Sequence, residues 1–120
     1  MDLSRYGSAG RALLTDVLTQ LAEDDLQPDA RDRALLDAAA RLADRMHDLR
    51  GMVDREGASA TSPTGIIRLH PAIAEHRNTA VALTKVLSGV SFHAEAVRSP
   101  VKQRAAQTRW RAHNAAKAGA

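Results

Sequence analysis

The sequence predicts a mainly α-helical protein: an antiparallel helical hairpin with a short β-hairpin at its tip, an N-terminal helix before it and a basic C-terminal tail after it. Three features of the 120 residues lead there. Leu35, Ala39, Leu42, Met46, Leu49 and Val53 recur at spacings of 4, 3, 4, 3 and 4, which keeps one apolar stripe on one helical face. After Pro71, the residues Ile73, Ala80, Leu83 and Leu87 form a second stripe of similar pitch, able to supply the partner surface. Between the two, Gly57 and the segment Ser62-Pro63-Thr64-Gly65 interrupt the helical pattern with turn chemistry.

Each element follows from local signals. Leu13, Leu14, Val17, Leu18 and Leu21 place a first helix at about 10–24, closed by Glu23-Asp24-Asp25. Pro28 suits the first position of the next helix, and Asp29 and Asp32 put negative charge in its first turn, where the macrodipole favours it. The outward positions of this long helix alternate Arg and Asp, which reads as a solvated face with Asp37 and Arg41 paired at i,i+4. Gly51 is expected to weaken the helix, at a cost of about 1 kcal/mol relative to Ala, before it stops near Gly57. Residues 58–61 and 66–69 read as strands around a four-residue turn with Pro second and Gly fourth. His70, restricted to extended backbone by the proline after it, is a strand-to-helix hinge. A third helix then runs from Pro71 to about Ser88, with Gly89 as its stop. Residues 90–100 read as a connection, and 101–117 as an Ala- and Arg-rich segment that either forms a short helix or orders on binding.

The bulk numbers narrow the class. The chain is long enough for one ordinary domain, divided here into a helical oligomerisation domain at 1–95 and a basic segment at 96–120. Ala supplies 24 residues, whereas Phe, Tyr and Trp occur once each, so the core is thin for a chain on its own. Self-association is therefore expected, with Leu35, Leu42, Met46, Leu49, Val53, Ile73, Leu83 and Leu87 as its interface. Cysteine is absent, which excludes disulfides and thiol chemistry. No apolar run approaches the roughly 20 residues of a membrane span, and the first ten residues lack a signal-peptide core, so a cytoplasmic protein without membrane contact is expected.

Signals for catalysis are missing. There is no phosphate-binding loop, no Gly-x-Gly-x-x-Gly, no His-Glu-x-x-His and no Gly-x-Ser-x-Gly. His70 and His76 fall on different helical faces, and His47 and His93 have no acidic or cysteine cluster at ligand spacing, so no metal site is expected. Neither an enzyme nor a cofactor is expected.

Charge gives the positive signal. Residues 1–95 hold all 14 acids against 11 Lys and Arg, a balance of −3, while residues 96–120 hold six Lys and Arg and no acid, a balance of +6. Arg98, Lys102, Arg104, Arg109, Arg111 and Lys117 are candidate phosphate contacts, and Trp110 between two arginines is a candidate stacking residue. The plain competing reading is a solubilising tail with no specific partner.

A long helix, Gly57, the turn Thr61-Ser62-Pro63-Thr64-Gly65, the segment Arg68-Leu69-His70-Pro71-Ala72 and a helix with Leu83 and Leu87 follow one another over residues 29–90. In that order they resemble the small terminase subunits of tailed bacteriophages, of the compact helical-hairpin type. The resemblance implies a non-enzymatic ring of more than four subunits in the host cytoplasm, which binds double-stranded viral DNA and presents it to the large terminase subunit. It also implies that the helical stripe builds the ring and that the hairpin at 59–69 forms a rim. The sequence departs from many relatives in lacking a helix-turn-helix near its start, because 10–26 is too acidic for one. Many relatives end in a segment that docks the large subunit, so the tail is a candidate for that contact too. The rival classes are a helical adaptor or coiled-coil protein that binds no nucleic acid, and a small dimeric DNA-binding regulator.

Overall fold

Local capping chemistry starts the second and third α-helices in the computed structural model, which describes residues 1–91 and 100–119 and is mainly helical with one two-stranded antiparallel sheet. After a 3-10 turn at Leu3–Arg5, helix α1 spans Ser8–Glu23 and helix α2 spans Ala30–Glu56. Strand β1 (Ser59–Thr61) pairs with β2 (Ile67–Leu69), so that Thr61 faces Ile67 and Ser59 faces Leu69. Helix α3 spans Pro71–Ser88 and helix α4 spans Pro100–Ala118.

Asp29 caps α2 through a capping box, its carboxylate taking the Asp32 amide at 2.7 Å while Asp32 reaches back to the Asp29 amide. Only a residue just outside the helix can do this. Pro28 therefore precedes the cap and does not fill the first helical position that its fixed φ suggests. Gly51 does not stop α2, which runs on to Gly57, where φ of +87° takes the backbone out of the helix. Each strand is one residue shorter than its sequence run; at the turn end of β2 the Ser62 amide donates to the Ile66 carbonyl at 2.8 Å and the Ile66 amide to the Ser62 hydroxyl at 3.1 Å. Ile66 thus belongs to the turn.

His70 caps α3. Its Nδ1 accepts from the Ala72 amide at 3.0 Å, which leaves Nε2 as the donor to the Glu56 carboxylate 2.6 Å away. That contact joins the last residue of α2 to the cap of α3. At the other end the Arg31 guanidinium donates to the Gly89 carbonyl at 3.1 Å, so α2 and α3 run in opposite directions along each other.

Helix α1 packs on the first half of α2. Tyr6, Leu14, Leu21, Leu36, Ala40 and Val90 form the core, with Leu3, Val17, Leu18, Leu26 and Leu35 packed around it. Leu14 and Leu36 are fully buried, each contributing about 1.5–3 kcal/mol of hydrophobic burial. Val90, read from sequence as part of a connection, closes this core just past α3.

The Arg and Asp face of α2 is more than a solvated surface. Asp44 accepts the Gly7 amide at 2.7 Å and the Gly10 amide at 2.8 Å, which caps α1 from the neighbouring helix. Helix α1 has no side-chain cap of its own and no acid in its first turn, so Asp44 supplies both the acceptor and the negative charge. Asp37 accepts a short hydrogen bond from the Tyr6 hydroxyl and a second from Arg41 at 3.1 Å. The Tyr6 hydroxyl, and then Arg41, hold the Asp37 carboxyl below its ordinary range, while the hydrogen bond to Asp37 pushes the Tyr6 phenol up. Asp32 also accepts from the Ser91 amide at 3.3 Å, which ties the chain after α3 back to the start of α2.

Candidate nucleic-acid interface

Helix α4 gathers most of the basic tail. Lys102, Arg104, Arg109, Arg111 and Lys117 lie in it and no acid does, so its net charge is strongly positive along its length. It starts at a proline, whose missing N–H costs nothing in a first turn, and is rich in Ala, the strongest helix former. Every described side chain from Arg104 to Gly119 is exposed, including Trp110 at 68%. Arg98, the sixth cation assigned to this interface, lies outside the described residues, as does the boundary at 95 and 96.

The helical state decides which of these residues act together. Arg104 and Arg111, seven apart, share one side, and Arg109 and Lys117, with His113 between them, lie on the other, about 120–160° round the axis from the first pair. Arrays of this kind present positive charge in two directions at once.

The residues read as an oligomer interface are divided by the single chain. Leu49 is buried at 5% by its own chain and needs no second copy to cover it. Leu35, Leu42, Met46, Val53, Ile73, Leu83 and Leu87 are half-buried, as expected for a seam between α2 and α3 that is not fully closed. Near the hairpin the seam opens into a cleft of about 280 Å³ lined by Arg50, Val53, Asp54, Ile73 and His76. Arg50 and Asp54 pair there at 3.5 Å across an exposed helical turn, and the cleft holds no nucleophile with a base beside it.

The β-hairpin carries the largest exposed apolar groups of the body. Ile66, Ile67 and Leu69 are 53%, 70% and 71% exposed. Ile67 and Leu69 alternate with Arg68 and so share one face of the sheet. No sequence signal distinguishes them from a strand buried against a third layer, since alternation gives the face and not what covers it.

Among the described residues no group of His, Cys, Asp or Glu is arranged to hold a metal ion, and no helix is long and apolar enough to cross a membrane. Comparison with known proteins gives no match to a family model, to a curated protein or to a solved structure.

Proposed function

We propose that this chain is a non-enzymatic DNA-binding subunit of the phage small-terminase kind, which self-assembles through its helical body and holds double-stranded DNA with its basic C-terminal segment. The observation that carries the reading is α4: five Lys and Arg, no acid, and every described side chain exposed. Such a helix gains affinity for a polyanion by releasing counterions, independently of base sequence. The body carries the opposite net charge, so attraction to DNA is centred on residues 96–120.

Assembly into a ring of more than four subunits is part of the same proposal. The half-buried stripe along α2 and α3 and the apolar face at Ile67 and Leu69 offer surface for it, and a head-to-tail interface that closes on itself gives a ring. The large terminase subunit would be the second partner.

Filter binding of duplex DNA by the full chain and by a chain ending at Ser99, at several salt concentrations, tests the reading, with native mass spectrometry on both. If about five cations reach phosphates, log affinity falls against log salt with a slope of roughly −4 to −5 per bound chain. The truncation should lose most affinity and keep the oligomer. Full affinity in the truncated chain refutes the assignment to the tail, and no duplex binding by the full chain favours a helical adaptor. A wild-type monomer at micromolar concentration refutes the ring.

A further inference from the structure

The geometry points to α4 as a major-groove helix that reads base edges with Gln107 and Asn114 while two flanking rows of cations grip the two phosphate strands. This rests on the DNA-binding reading above and adds to it a groove and a reading face.

The argument begins with what separates the two cation rows. On one side of the helix, between Arg104 and Arg111 on one hand and Arg109 and Lys117 on the other, stand Gln107, Asn114 and, at its border, Trp110. On the opposite side stand Thr108, Ala112, Ala115 and Ala116, all small. Sequence order hides this division. It appears only when 3.6 residues are wound into each turn.

A helix resting on the outside of a phosphate chain uses one charged side and wastes the other. A helix lying in the major groove has a phosphate strand on each flank, and a groove about 12 Å wide admits a helix about 10–12 Å across. In that position both cation rows are used. The face between them meets the base edges, where side-chain amides match the donor and acceptor pair of adenine, and Trp110 can touch a thymine methyl. The small Ala face then points out of the groove.

The same pattern disfavours a lipid surface. An interfacial helix needs one continuous face of large apolar side chains, whereas here the face opposite Gln107 and Asn114 carries three alanines and the Thr108 hydroxyl and has cations on both borders.

The test selects duplexes from a random pool with the full-length protein, then repeats the selection with Gln107→Ala, Asn114→Ala, and an Arg109→Ala, Arg111→Ala pair. Alanine favours the helix, so loss of α4 is not a competing explanation for the first two. The wild type should enrich a short adenine-containing motif and protect guanine N7 in the major groove from dimethyl sulfate. Each amide variant should lower the preference for that motif over random duplex by roughly 5- to 150-fold while its affinity for random duplex stays the same. The arginine pair should weaken binding to all sequences alike. Duplex binding with reactive guanine N7 and no motif, or a motif unchanged by both amide variants, overturns the groove assignment and leaves phosphate binding by the tail standing. Absence of any duplex binding overturns both.

Discussion

Replacing Asp44 tests the most economical tertiary contact in the body, because one carboxylate does for α1 what its own sequence does not. In Asp44→Ala two amides lose their acceptor at once. The Gly7 amide is exposed and water replaces most of what it loses, whereas Gly10 is buried, and an amide stranded there costs about 1–3 kcal/mol. Removing the negative charge from the start of α1 adds about 0.3–1 kcal/mol. The expected loss is about 1–4 kcal/mol, which in a body of this size lowers Tm by roughly 5–30 °C. Urea titration followed by circular dichroism gives the free energy, and hydrogen exchange should show the loss concentrated in the first turns of α1.

A coupling experiment makes the reasoning sharper. The three atoms nearest a Cβ at Gly7 all belong to Asp44, at 2.7 Å for Oδ1 and 3.0 Å for Cγ, and the backbone there is ordinary extended chain with φ of −72°. A Cβ at Gly10 would meet the Ala40 carbonyl oxygen at 2.7 Å as well. Gly7→Ala should therefore cost about 1–3 kcal/mol in the wild type and little in Asp44→Ala, while Gly10→Ala remains costly in both. If Asp44→Ala lies within about 0.5 kcal/mol of wild type, or if Gly7→Ala costs the same in both backgrounds, the carboxylate is not the cap described.

Two further outcomes follow from single contacts. The Asp37 carboxyl is lowered from an ordinary value of 3.8, chiefly by the Tyr6 hydroxyl, so its contribution is present above about pH 4 and is lost as pH falls through the lowered value. The Tyr6 phenol is raised from 10.0 by the hydrogen bond to Asp37, so its contribution is present below about pH 10 and is lost as pH rises through the raised value. Tyr6→Phe should cost about 1 kcal/mol at neutral pH and flatten both limbs of a stability-against-pH curve, and unchanged limbs would show that the contact is not energetic. His70→Ala removes the cap of α3 and its contact with Glu56, for a loss of about 0.5–2 kcal/mol by denaturant titration, whereas His70→Asn should retain most of the cap.

The amino-acid sequence by itself determined the elements whose signals are local. Gly57, Pro71 with His70, and Gly89 set helix ends because each acts through its own backbone or a neighbour within a few residues, and Ser62 to Gly65 made a turn for the same reason. The basic character of residues 96–120 was equally legible, since net charge needs no geometry. What only the tertiary structure decided were the partners far apart in the chain. Asp32, Asp37 and Asp44 look alike on a solvated face, yet each accepts a hydrogen bond from a group brought to it by packing: Ser91, Tyr6, and Gly7 with Gly10. Leu49, assigned to an interface by the same periodicity that built the stripe, is covered within one chain, because a period identifies an apolar face and cannot say which surface meets it. In the tail, sequence counted the cations, and helix formation sorted them, since residues adjacent in sequence point about 100° apart while those four or seven apart align.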